Sequence, residues 1–123
     1  MEGNDLVIGD DYQGSIRISE EVVTIIAGLA ASEVKGVAGM SGGITGGLAE
    51  KLGRKNLSKG VKAEVGEKEA VIDIFVIMDY GAHIHEVAKG IQNNVKSAVE
   101  TMTGLKVTQV NINVQGVSFT QDQ

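Results

Sequence analysis

Residues 70–78 read Ala-Val-Ile-Asp-Ile-Phe-Val-Ile-Met, and this stretch decides the fold. Successive side chains of a strand point to opposite faces. Ala70, Ile72, Ile74, Val76 and Met78 therefore share one face, and Val71, Asp73, Phe75 and Ile77 share the other. One face is wholly apolar and the other mostly so, which predicts a central strand. Gly81 ends it.

Toward the C-terminus, Ile84, Val87, Ala88, Ile91, Val95, Ala98, Val99 and Met102 recur with a 3.6-residue period. That spacing predicts an amphipathic helix, with Gly104 as its C-terminal glycine. A last strand begins at Leu105. Leu105 and Val107 have one parity, whereas Val110, Ile112 and Val114 have the other. A regular strand cannot turn both sets to one core, so a bulge is expected near Thr108–Gln109. Gly116 marks a second irregularity before Val117 and Phe119.

Toward the N-terminus, Val61, Ala63 and Val65 alternate with Lys62 and Glu64, a half-buried strand. Gly66–Glu69 turns it into the central strand. Further back, Gly39–Gly47 holds five glycines in nine residues, and Leu48–Leu57 has room for one or two helical turns. Gly36–Met40 reads as a short strand. Ser19 is a suitable N-cap, and Glu20 and Glu21 suit the positive end of a helix dipole. This first helix is expected to run to about Glu33, with Val22, Ile26 and Leu29 on its core face and Val23, Ala27 and Ala30 beside them. Gly28 in mid-helix points to close approach by a neighbouring backbone. Gly14–Ile18 reads as one more short strand.

The order predicts an α+β fold in two layers: a small mixed or antiparallel sheet with two main helices packed on one face. Residues 1–13 read as a flexible acidic tail, 14–119 as a single domain and 120–123 as a C-terminal tail.

Composition narrows the chemistry. The chain has 123 residues, room for one ordinary domain, and neither cysteine nor proline. Disulfides, thiolate metal sites and thiol catalysis are therefore excluded. Aromatic residues are limited to Tyr12, Phe75, Tyr80 and Phe119, few for stacking on bases or flat cofactors. A net charge of −5 argues against nucleic acid as the main partner. Met1–Asp11 carries four acids and no base, unlike a signal peptide. The longest apolar run, Val22–Ala31, is half the roughly 20 residues a membrane span needs. The expected location is the cytoplasm.

Several motifs match only in form. Gly39-Met40-Ser41-Gly42-Gly43 fits G-x-S-x-G, but the two histidines lie at 83 and 85 and the chain is far too short for the hydrolase fold that uses this motif. Leu48 follows Gly42–Gly47 where a P-loop needs lysine. His83 and His85 at i, i+2 diverge on a helix, and H-E-x-x-H is absent. Asp73 and Asp79 lie roughly 20 Å apart along one strand, too far for paired-carboxylate catalysis. Two features keep a binding interpretation. Gly43-Ile44-Thr45-Gly46 reads G-x-x-G, which clamps a nucleic-acid backbone in KH domains. Lys51, Arg54, Lys55, Lys59 and Lys62 form a basic run in an otherwise acidic chain. It suits RNA or anionic lipid headgroups, or else is a solvated surface segment, and no aromatic residue interleaves with it. These five residues are the candidate interaction surface. No catalytic, cofactor or metal residues emerge.

Two longer segments carry a resemblance. One is Gly14-Ser15-Ile16-Arg17-Ile18-Ser19-Glu20-Glu21-Val22-Val23, with Ile26–Ala31 and Glu33-Val34-Lys35-Gly36-Val37. The other is Tyr80-Gly81-Ala82-His83-Ile84 with Glu86–Ala88, Ile91–Val95, Met102-Thr103-Gly104, Val110-Asn111-Ile112 and Val114–Phe119. In this order they resemble the alkaline-shock-protein family of Gram-positive bacteria, also called the glucose-starvation general-stress or envelope-stress-response family. The resemblance implies a small cytoplasmic protein without catalytic activity. It implies a role in envelope homeostasis and stress, exercised through protein–protein contact. It also implies self-association and, in some members, recruitment to the inner face of the membrane by a small membrane-anchored partner. Some branches are tied to a fatty-acid synthesis enzyme instead. A regulatory partner of such an enzyme and a KH-like RNA module are therefore the alternatives.

Overall fold

The computed structural model describes residues 13–41 and 59–119. Helix α1 spans Glu20–Ser32, β1 Val37–Met40, β2 Val61–Val65, β3 Glu69–Asp79, α2 Ile84–Thr103 and β4 Lys106–Ser118. Residues 1–12 and 120–123 of the tails, the Gly42–Gly47 stretch and the expected turns at Leu48–Leu57 lie outside the described residues.

β3 organises the sheet. β4 pairs with it in parallel from Glu69↔Lys106 to Asp79↔Ser118. On the other side β2 runs antiparallel along Ala70–Ile74, and β1 runs antiparallel along Val76–Met78. Phe75 shows how these two share an edge. Its N–H donates to Gly60 O at 2.7 Å, and its carbonyl accepts from Ser41 N at 2.8 Å. The N–H and C=O of one strand residue project to the same side, so β1 and β2 lie end to end along one edge of β3. The sheet is mixed, and both helices pack on one face of it.

That face holds the core. Ile72, Ile74, Val76 and Met78 are fully buried against Ile91, Val95 and Val99 of α2 and Val23 and Ala27 of α1. Each of these valine, isoleucine and methionine side chains contributes roughly 1.5–3 kcal/mol by leaving water. At the two ends of the α2 stripe, Ile84 and Met102 are exposed. Gly104 ends α2 in the left-handed conformation at φ 79°, its N–H donating to Glu100 O.

Both expected irregularities of β4 are present. The register passes from Val107 to Gln109 and again from Val114 to Gly116. Thr108 and Gln115 are thereby left out of the pairing, and the apolar residues on both sides of each bulge face the helices.

Two expectations need correction. Gly14–Ile18 is not a strand. Ile16 is exposed, and Ile18 alone packs against the core. Ile18 precedes the N-cap Ser19, whose Oγ accepts from Val22 N at 3.2 Å, the place of a hydrophobic staple. The core face of α1 is also rotated. Ile26 is buried as expected, and so are Val23, Ala27, Ala30 and Ala31, whereas Val22 and Leu29 are exposed. α1 packs against both α2 and the sheet, and its small side chains admit the closest approach. Gly28 is buried in that stripe.

Candidate interaction surface

The helices leave one sheet face bare. Val71, Asp73, Phe75 and Ile77 of β3 point to it, with Lys62 and Glu64 of β2 on one side and Gln109, Asn111 and Asn113 of β4 on the other. Among the described residues no element packs over this face. The sequence places Phe75 and Ile77 on a second, mostly apolar face of a central strand. In the structure they are only half-buried, shielded by cross-strand neighbours.

The face is polar around one aromatic ring. Lys62 Nζ sits 5.6 Å from the Phe75 ring centroid, a distance at which a cation is drawn to the ring face. Asn111 Nδ2 donates to Asp73 Oδ1 at 2.8 Å, across the strand pair in which they are direct partners. Asn113 Nδ2 donates to Ile74 O at 3.3 Å. Amides and charges thus surround Phe75.

Of the five basic residues, Lys59 and Lys62 are described, and both are exposed. Gly60 between them holds φ +80°, and a Cβ there would meet Phe75 O and Ser41 O at 2.9 Å. Gly60 O accepts from Phe75 N, so a backbone that only glycine fits anchors the start of β2 beside Phe75, with Lys62 over its ring. Lys51, Arg54 and Lys55 lie outside the described residues, as does the G-x-x-G of Gly43–Gly46.

The two histidines lie away from this face, at the start of α2. His83 is the N-cap residue of α2 and lies 3.8 Å from Glu86 through Nδ1, with both side chains exposed. His85 is also exposed. Among the described residues no three His, Cys, Asp or Glu side chains are grouped to hold a metal ion. Among them, too, no helix is long and apolar enough to cross a membrane.

A second feature is the outer edge of β4, which sequence reasoning missed. Gln92, Lys96 and Glu100 stand one helical turn apart on α2 and reach that edge. Gln92 Nε2 donates to Val110 O at 2.9 Å, and Lys96 Nζ donates to Val107 O at 3.3 Å. Val107 N donates to Glu100 Oε2 at 2.9 Å. This hydrogen bond, with Lys96 3.3 Å away and Lys106 also near, holds the Glu100 carboxyl below its ordinary value against a smaller desolvation effect. The signal was a polar i, i+4, i+8 stripe on α2, which reads in sequence as an ordinary solvated face.

Residues 9–119 match the profile of the alkaline shock protein 23 family, whose function is described as cell envelope-related. The chain belongs to the alkaline shock protein 23 family. It is 37% identical over 110 residues to the Bacillus subtilis protein YqhY, covering 89% of this chain and 82% of that one. It is 42% identical over 109 residues to YloU of the same organism, covering 87% and 91%. A Streptococcus pyogenes member named as a homologue of the stress response regulator gls24 is 32% identical over 103 residues, covering 83% of this chain and 58% of that one. Among solved structures, chains of the MamM CTD align with a TM-score of 0.48 at 17% identity, covering 78% of this chain and 93% of theirs. At that score the likeness says nothing about function. For this member of the alkaline shock protein 23 family, the bare sheet face and the β4 edge are the surfaces to explain.

Proposed function

We propose that this protein is a non-enzymatic component of the envelope stress response, acting by protein–protein contact at the inner face of the membrane. The observation that carries the proposal is the sheet face that no described element covers, centred on Phe75 and lined by Lys62, Asp73, Asn111 and Asn113, with the exposed Lys59 just before β2. Substrates are usually held in concave pockets where a few polar groups converge, whereas protein partners bury broad, flat areas with an aromatic anchor and a polar rim. The basic residues suit an acidic partner surface. Family membership and the stress-regulator name of a relative support the same reading.

The test is crosslinked capture of the tagged protein from its native host, with membrane and soluble fractions separated. The expected result is a defined protein partner in the membrane fraction, its recovery falling several-fold in Lys59→Glu/Lys62→Glu. A diffuse protein with no captured partner, or capture indifferent to both charge reversals, overturns the proposal.

A further inference from the structure

The helix guard on β4 stops halfway. In a strand, residues whose side chains share a face also turn their N–H and C=O groups to the same edge. Val107, Val110, Ile112, Val114 and Val117 face the core, opposite Ala70, Ile72, Ile74, Val76 and Met78. Their backbone groups therefore point away from β3, as the bonds of Val107 and Val110 to α2 side chains show. Beyond Val110 O, no partner among the described residues meets the outward groups of Ile112, Val114 and Val117.

An unpaired edge of this length is usually blunted by charge, proline or brevity. The opposite side of the sheet obeys that rule, since β1 and β2 are short and β2 carries Lys62 and Glu64. β4 does not, because Val107–Gln121 contains no Asp, Glu, Lys, Arg or proline. Val114 and Val117 stay 37% and 41% exposed along it.

The geometry points to a second copy of this chain as the occupant of that edge, joined by antiparallel pairing of β4 with β4 about a twofold axis at Ile112. The segment between the two bulges reads Val110-Asn111-Ile112-Asn113-Val114, a palindrome centred on Ile112. A twofold axis there sets each Val110 against the partner's Val114, each Asn111 against the partner's Asn113, and Ile112 against itself. The valine pairs close over apolar surface on the helix side. The asparagine pairs meet on the bare face: Asn111 gives its N–H groups to Asp73 and Gln109 and so offers Oδ1, while Asn113, with one N–H on Ile74 O, has a second to donate across the seam. An interface of this kind is self-complementary by symmetry. The absence of charge removes repulsion between identical strands. Gln92 occupies only one of the two lone pairs of Val110 O, so that carbonyl still accepts from the partner's Val114. This inference rests on the proposed mode of action by protein contact and names one such contact.

The register is tested with cysteines in a chain that has none. Asn111 and Asn113 turn their own backbone groups to β3, so across the new seam they form non-hydrogen-bonded pairs with Cα atoms about 4.5 Å apart. That separation is within disulfide range. Asn111→Cys mixed with Asn113→Cys is expected to give a covalent dimer on oxidation. Either variant alone is expected to stay monomeric on a denaturing gel, because its thiols would be diagonal neighbours about 7–8 Å apart. Far-UV circular dichroism checks that each variant is folded. In parallel, Val114→Lys, which places a charge on the edge, is expected to weaken association at least tenfold by sedimentation. No dimer from the mixture, equal dimer from the single variants, or unchanged association of Val114→Lys overturns the inference. Failure of the crosslink with native-host capture intact rejects this seam alone. A crosslink without capture rejects the envelope role alone.

Discussion

At the scale of a single residue, Glu100 joins sequence, packing and charge. Its carboxylate accepts from Val107 N and neighbours Lys96 Nζ, fastening the end of α2 to the start of β4. The folded protein therefore holds its pKa below the ordinary 4.5. A lowered carboxyl pKa contributes stability that is complete above the unfolded value and lost as pH falls through the folded one. Glu100→Gln is accordingly expected to be less stable than the parent in urea by a gap that is constant above about pH 5 and narrows progressively in acid. A gap independent of pH would contradict this assignment. Nothing in the sequence marks Glu100, since a glutamate four residues after a lysine is common on any solvated helix.

At the scale of elements, the two helices are joined by a bond that no periodicity reveals. The last carbonyls of a helix lack partners within it. In α1, Leu29 O and Ala31 O accept from Glu33 N and Val34 N. Ala30 O instead accepts from Asn94 Nδ2 of α2 at 2.7 Å. Asn94→Ala is expected to lower stability by about 1–3 kcal/mol, because it leaves that carbonyl unsatisfied at a partly buried junction. The exposed neighbour Asn93→Ala is expected to change it by less than about 0.5 kcal/mol. Urea unfolding of the pair checks the difference. The same junction explains why α1 turned its alanines inward. Val22 and Leu29 satisfy a helical period equally well, but the approach of α2 and the sheet favours the small stripe.

At the scale of the whole molecule, β3 is held by strands on both edges, whereas β4 is held on one. Amide hydrogen exchange is therefore expected to be slowest at Ile72, Phe75 and Val76 and fast at Ile112 and Val114 in dilute protein. The protection of Ile112 and Val114 is expected to rise with concentration as the second copy pairs. Uniform protection along β4 at every dilution would contradict this. What the sequence determined by itself is local. The alternation at Ala70–Met78, the stripe from Ile84 to Met102, the stop at Gly104 and both bulges of β4 follow from pleat and helical pitch, which each residue imposes on its neighbours. The apparent alternation of Ile16 and Ile18 misled, because two residues do not make a period. Tertiary structure alone decided which side of α1 is buried, that no described element covers one sheet face, and that β4 runs parallel to β3 at an edge guarded halfway among the described residues. Those outcomes depend on which elements meet across long stretches of chain, and a hydrophobic pattern records that a surface is covered without recording by what.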